Sequence, residues 1–520
     1  MPTSAPLRMG ELVATLALAQ DNAFGQPLES QLRSCLLGVW LSEEAGYDPE
    51  VRDTVYWVAL LRYLGCTGHA HEVSALFGDE IAIRAQTLVH DAANPAEVIQ
   101  DVIRFATAGR PPEERDEVVR MIHEGAKEWA VHNFTSGCEV GDMLAERLEL
   151  APAVRESLAF TFERWNGAGY PNHVAGEAIP LPMRVVHLTH DMEAHGRLFS
   201  PEEAIAVAGE RSGRTYDPAV ADVFLAHGAE WFARLATIDP WDEVLALEPA
   251  PHRTMDGAQL DAALLVVADF IDLKSPFMAG HSRRCAELAD EAGRAMGLAD
   301  EEVAGLRRAA LVHEIGTTVV PNSIWDKPGP LTRAELDRVE LHPMLTEQML
   351  RRSPALVALN PVAAAHHERA DGTGYHKGLR TGSVDAAARV LQSCDVYVGL
   401  TRDRADRPGS PPSDAAVELR ALVARGVLDG AATDAVLTAA GHEATATPGR
   451  RRGAHPGGLT GREAEVLRLA ARGLTNKAIA EELVISPKTA GHHIQHVYDK
   501  IGVSTRAAAA LWAMQNALVA

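Results

Sequence analysis

Across residues 459–519 the apolar positions fall at helical spacing and are interrupted by capping signals at short intervals. Thr460 and Glu463 form a T-x-x-E capping box ahead of Val466, Leu467 and Leu469 to Ala471, which predicts a first helix. Gly473 can close that helix in the left-handed conformation, and Thr475 can cap a second that turns Ala478, Ile479 and Leu483 inward. Ser486 followed by Pro487 opens a third, with Ala490, Ile494, Val497 and Ile501 on one stripe. Upstream, both halves of the chain are rich in Ala, Leu and Val at helical spacing with short Gly/Pro breaks. The predicted fold class is all-α.

The face of the third helix opposite its apolar stripe carries Lys488, Thr489, His492, His493, Gln495, His496 and Lys500. When two helices form a helix-turn-helix, the second enters the major groove by its N-terminal part. Lys488, Thr489, His492 and His493 are therefore candidates for contact with bases or phosphates, His496 lies on the same face, and Lys477 and Lys500 are candidate phosphate anchors. Charge supports this: from residue 449 onward ten Lys/Arg stand against five Asp/Glu, although the whole chain has a formal net charge of -22. A locally basic end on an acidic body confines contact with double-stranded DNA to that end.

The body contains an internal repeat. ERWNGAGY at 163–170 pairs with ERADGTGY at 368–375, each followed fourteen residues later by an arginine, Arg184 and Arg389. Upstream, Gly46 and Gly65 pair with Gly297 and Gly316 at an offset of 251, against 205 downstream. The difference places an insertion of about 46 residues in the first copy, expected within 84–131. Domains are expected at 1–245 and 250–440, then a flexible Pro/Gly/Arg-rich linker at 441–457 and the DNA-binding module at 458–520.

Five scattered cysteines without a CxxC pair suggest a reducing compartment, and no long uncharged apolar run is present. The expected location is the cytoplasm, without membrane association.

The second copy concentrates potential metal ligands: His281, His313, Glu314, His342, His366, His367 and Asp395. Imidazole with carboxylate suits iron, manganese or zinc better than calcium or magnesium, and a carboxylate can bridge two ions. Neighbouring helical residues point about 100° apart, so His366 and His367 can address different ions. The first copy is an internal control. At the matching positions it has Ser30, Arg62, Tyr63, Gly137, Thr161, Phe162 and His190, which breaks the set. Its only other candidate, HAHE at 69–72 beside Cys66, is read as a Gly-broken loop lacking a fourth partner. Arg369, Arg404 and Arg407 are candidates for holding phosphate oxygens.

The C-terminal segment resembles the LuxR-type helix-turn-helix through LTGREAEVL, GLTNKAIAEELVISPKT and KIGV, with Ala490 where that family usually has Val. The second copy resembles the HD-GYP phosphohydrolases through VHEIG (312–316), VPNSIWDKPGPLT (320–332), LHP (341–343), HHERADGTGY (366–375) and ARVLQSCD (388–395). This resemblance implies a metal-assisted phosphodiesterase acting on cyclic di-GMP, with His281, His313, His342, His366, His367 and Asp395 as ligands and Glu314 as bridge. His313 and Glu314 would then form the catalytic pair, and Arg369, Asp371, Tyr375, Arg404 and Arg407 would meet the substrate. The site departs from the family in five places, one being that CDVYVGL with RADRP (394–408) only loosely matches its usual ending. Glu314 stands for Asp, Thr317 for Lys, His376 for the Pro of GYP, and Phe277 for a Glu that serves a third ion. A binuclear site, iron or manganese rather than zinc, is the expectation.

The leading reading is a transcription regulator, a homodimer on DNA, whose HD-GYP-like body senses or degrades a cyclic dinucleotide or related phosphoester. The alternatives are a cyclic di-GMP phosphodiesterase whose output is turnover, and an inactive HD-GYP sensor. The first copy is expected to serve as a dimerisation or ligand-sensing platform.

Overall fold

The computed structural model describes residues 6–91, 94–442 and 455–519. The described residues are helical almost throughout, with strands only at Leu7–Arg8 and Thr254–Met255. No described helix is long and apolar enough to cross a membrane.

The chain divides between Met255 and Asp256 into two compact units, a few residues beyond the break expected near 245–250. The helices of 458–519 belong to the same unit as the second copy. Most of the expected linker, 441–457, lies outside the described residues; Pro456–Gly458 at its end forms a short 3₁₀ turn.

The repeat is visible helix by helix. Ser30–Glu44 and Pro49–Leu61 in the first copy match His281–Ala295 and Asp300–Val312 in the second in length and spacing. Gly46 and Gly297 end the first member of each pair at φ +67° and +75°, a left-handed cap that favours glycine. Asp21 accepts from the Gln31 amide as Asp272 accepts from that of Ser282. Glu163 accepts from the amides of Asn172 and Val174, and Glu368 from those of Lys377 and Leu379, so each carboxylate shapes the loop after its E-R-x-x-G-x-G-Y segment. The following arginines pair with helix-capping aspartates, Arg184 with Asp217 and Arg389 with Asp429.

The two copies differ in the insertion. It forms the helix Pro95–Thr107 and the N-terminal part of Pro112–Arg147, a 36-residue helix that runs on past the expected insertion boundary at 131. HAHE is not a loop as expected: Cys66–His69 is a 3₁₀ turn leading into the helix Ala70–Phe77.

A close backbone crossing places the segment bearing Glu314 against the one bearing His342. A Cβ on Gly316 would stand 2.0 Å from the His342 carbonyl oxygen, and one on Gly65 would stand 1.8 Å from that of Gly137. Gly137 therefore takes the place of His342 in the first copy. Gly316→Ala should lower the thermal unfolding midpoint, with a cost of about 1–3 kcal/mol or more from overpacking against backbone; an unchanged midpoint would show that the crossing tolerates a methyl group.

Candidate functional site

Five separate segments bring the seven expected ligands of the second copy together. His281 begins a helix, and His313 and Glu314 follow the end of Asp300–Val312. His342 begins His342–Leu350, His366 and His367 lie just beyond Asn360–Ala363, and Asp395 sits within Ala386–Thr401.

Three of the histidines are set by one local device. Nδ1 of His313, His342 and His366 meets the carbonyl oxygen three residues earlier, that of Ala310, Val339 and Ala363, at 2.8, 2.6 and 2.6 Å. A carbonyl only accepts, so each Nδ1 carries the proton and each Nε2 keeps a lone pair. All three Nε2 atoms converge on the cluster.

Donor atoms within 4.8 Å of one another form three groups: His281, His313, Glu314 and Asp395; Glu314, His342, His366 and His367; and, overlapping the first, His281, Cys285 and His313. Glu314 belongs to the first two. Its Oε1 lies 3.7 Å from His281 Nε2 and 3.8 Å from His313 Nε2, while its Oε2 lies 3.4 Å from His342 Nε2. Asp395 similarly spans His281 at 3.4 Å and His367 at 3.7 Å.

These residues fit divalent cations on the chemistry of the donors. His342 and His366 face each other through Nε2 at 3.0 Å although both Nδ1 atoms already hold the proton, so two lone pairs meet in a buried site. A cation between them removes the repulsion, and two imidazoles on one ion, with bonds of about 2.1 Å, sit roughly 3 Å apart. Buried His313 Nε2, Glu314 Oε2 and His367 Nδ1 also lack hydrogen-bond partners. Such orphaned atoms are costly unless a ligand satisfies them.

Electrostatics agree with that arrangement. Burial drives the His313 imidazole down to about 3 and that of His342 to about 4, so both stay neutral and able to donate a lone pair. Burial likewise lowers His281, His366 and His367. It raises Glu314 well above the ordinary carboxylate range, whereas for Asp395 the same effect is outweighed by the hydrogen bond from His281 and by the neighbouring imidazoles. Cys285, with Sγ 3.6 Å from His281 Nε2, is held as a thiol by burial. The ordering device and this thiol were not read from the sequence; the position of each histidine at a helix end was the available signal.

The residues expected to meet substrate divide into two sets. Arg369 donates to the carbonyls of His366 and Glu368, as Arg164 does to those of Thr161 and Glu163 in the first copy. Arg407 donates to Gly399 and Leu400 carbonyls at a helix end, and Asp371 accepts from the amide and hydroxyl of Thr373. Each of these three side chains thus also bonds within its own loop. Tyr375 instead stacks on His367 with ring centroids 4.7 Å apart. Arg404 lies over the Trp325 ring at 5.7 Å, and that indole meets His342 edge-on at 5.9 Å. Trp325 was missed, although it lies within the motif at 320–332. Thr317 donates its hydroxyl to the Glu314 carbonyl.

In the first copy, Tyr63 and His190, at the positions of Glu314 and Asp395, are hydrogen-bonded at 3.0 Å, and Arg62 is buried over the Tyr63 ring. A permanent cation in that place opposes metal binding. Among the described residues, the donor clusters all fall in the second copy.

The C-terminal helices are Gly461–Ala471, Asn476–Glu482, Pro487–Ile501 and Arg506–Gln515. Thr460, Thr475 and Ser486 accept from the amides of Glu463, Ala478 and Thr489, as the capping signals require. Val466, Ile479, Ala490 and Ile494 pack in one core, and Val497 is buried, while Ile501 is only half-buried. Lys477, Lys488, His492 and His496 are exposed; Thr489 and His493 are half-buried. Lys500 is exposed too, and its ammonium pairs with Glu463 at 2.6 Å, tying the third helix to the first. The Thr489 hydroxyl meets that of Ser486. Ala508, Leu511 and Leu518 face inward.

A helical body with paired histidine and carboxylate donors defines an HD-domain protein, and the comparisons agree. The HD domain family matches residues 265–431, and the luxR family of bacterial regulatory proteins matches 458–513. The 3'3'-cGAMP-specific phosphodiesterase 3 of Vibrio cholerae is 30% identical over 407 residues, 78% of this chain and 88% of that protein. A cyclic di-GMP phosphodiesterase of Pseudomonas aeruginosa is 39% identical over 132 residues, 25% of this chain and 31% of its own length. The crystal structure of a cyclic GMP-AMP specific phosphodiesterase of Vibrio cholerae superposes with a TM-score of 0.59 at 26% identity, covering 84% of this chain and 98% of that one. The chain belongs to the HD-GYP family, and a LuxR-type helix-turn-helix domain follows its tandem helical body.

Two predictions follow from this geometry. Metal-free protein should lose stability to urea as the pH falls below about 6.5. There the unfolded chain's histidines take up protons while His313 and His342 stay neutral down to about 3 and 4. Glu314 acts in the opposite sense, one carboxyl against several imidazoles, and a stability that is flat or rises between pH 7 and 5 would contradict buried neutral histidines. On DNA, Lys488→Ala should weaken binding and reduce the slope of log affinity against log salt by about 1, whereas an unchanged slope would exclude a phosphate contact.

Proposed function

We propose that this protein is a DNA-binding regulator whose second helical domain takes a cyclic dinucleotide and, with two divalent ions bound, hydrolyses it. The observation that carries the reading is Glu314, shared by two groups of buried donors whose lone pairs otherwise face one another. His281, His313 and Asp395 would hold one ion, His342, His366 and His367 the other, and Glu314 both. Imidazole with carboxylate favours iron or manganese. Such ions supply Lewis acidity to a phosphodiester and make water acidic enough to yield a nucleophile near neutral pH.

The remaining roles fall to the protein's own side chains. Arg404, over the ring of Trp325, which in turn meets His342 edge-on, would favour an incoming phosphate. Trp325, half-buried between Arg404 and His342, offers an aromatic face to a base. Burial raises the Tyr375 hydroxyl, which remains a hydrogen-bond donor. The relatives named for 3'3'-cGAMP and cyclic di-GMP point to 3'3'-linked cyclic dinucleotides as the substrate class. Thr317 supplies no cation where the family has a lysine, so slow turnover is expected, and an inactive sensor is the second reading.

Output to DNA has a physical route. Arg472, at the end of the first C-terminal helix, pairs with Asp403, next to Arg404, and the turn at Gly473 lies against Pro276. Occupation of the catalytic cleft would thus bias the helix-turn-helix, acting as a cytoplasmic homodimer on twofold DNA sites.

Full-length protein loaded anaerobically with iron or manganese should convert 3'3'-cGAMP or cyclic di-GMP to linear product. His313→Ala should reduce that rate by at least about a hundredfold, given that even outer-sphere partners are worth 10–100-fold. Metal-replete protein that binds these nucleotides and leaves them intact would overturn hydrolysis and establish the sensor.

A further inference from the structure

The first copy contains a cavity of about 480 Å³, within the usual range for small-molecule sites of about 300–1,000 Å³. Its location gives it meaning. Phe162, Arg164 and Tyr170 line one side, at the positions of His367, Arg369 and Tyr375 beside the metal cluster of the second copy. Val102, Ile122 and Trp129 line the other side and belong to the inserted helices, which have no counterpart in the second copy. The insertion therefore roofs the ground that the substrate face occupies in the second copy. The space is a cleft partly open to solvent, lined by buried and half-buried apolar side chains with Leu76 and Met121 exposed at its edge, so a ligand could enter it directly.

The lining specifies the occupant. Its surface is mostly aliphatic and aromatic, and the rings are braced: Phe134 stacks on Phe162 with centroids 4.2 Å apart, and Phe77 meets Trp129 edge-on at 4.9 Å. Among the lining residues Arg164, Lys127 and His123 carry basic side chains, and of these only Arg164 is buried. Arg164 is 8% exposed; its NH1 donates to the carbonyls of Thr161 and Glu163, but its Nε is buried without a partner. Asp191, whose charge also acts on Arg164, accepts the Tyr216 hydroxyl at 3.0 Å. Lys127, exposed at the rim, adds a second cation.

We propose that the first copy binds an amphipathic organic anion, its apolar body beneath the inserted helices and its anionic end on Arg164. This site has traded phosphodiester chemistry for ligand capture: Tyr63, His190 and Arg62 fill the place of the metals, and the ground beside them receives a different molecule. Occupation would brace the helix Pro112–Arg147 against the helical core.

The test is calorimetric titration of the full-length protein with dodecanoate and with dodecanol, its neutral isostere, both below micelle formation. The expected result is one saturable dodecanoate site per chain and affinity for dodecanol at least tenfold weaker. Ile122→Trp and Val102→Trp, each checked by its unfolding midpoint, should abolish binding by filling the cavity without touching Arg164. Failure of the wild-type chain to bind dodecanoate, or undiminished binding by a folded tryptophan variant, would overturn the site. Equal affinity for dodecanol would overturn the anionic end.

Discussion

A neutral histidine offers its lone pair on whichever nitrogen lacks the proton, and the second copy fixes that choice with its own backbone. The carbonyls of Ala310, Val339 and Ala363 each take the Nδ1 proton of the histidine three residues on. Helix ends leave such carbonyls without an intrahelical donor, so the device satisfies a backbone acceptor and sets a tautomer at once. The result is a buried cluster of acceptors that is under-satisfied on its own. The fit to cations, the shared position of Glu314 and the depressed basicity of the imidazoles all go with it.

The two copies show how one helical frame supports opposite contents. The loop carboxylates Glu163 and Glu368, the glycine crossings at Gly65 and Gly316, and the arginine to aspartate pairs are common to both. These interactions hold the chain path irrespective of chemistry. Within that path, Arg62 and Tyr63 stand where the second copy has His313 and Glu314, so a buried cation replaces two candidate metal ligands. The inserted helices then change what lies above it.

The C-terminal domain depends on the same economy of helix ends. Its helices open on hydroxyl caps, and the Glu463 carboxylate that completes the first capping box also accepts Lys500 from the third helix. One carboxylate thus fixes both a helix start and the angle at which the recognition helix is presented. Lys488, His492 and His496 remain exposed on that helix.

Much of this was legible along the chain because it depends on local rules. Caps at Thr460, Thr475 and Ser486, the helical period and the internal repeat are patterns of near neighbours or of matched segments, and the loss of ligands from the first copy follows from simple substitution. That Arg369 and Arg407 bond nearby carbonyls, and Lys500 the Glu463 carboxylate, was not legible. A cation in a motif looks the same whether it meets phosphate or a carbonyl a few residues away, and only the folded path decides which acceptor is within reach. Trp325 and the cavity beneath the inserted helices belong to the same class. Spacing in sequence sets which face of a helix a residue occupies, but the distance between faces of different helices is set by packing, and that is a property of the tertiary structure alone.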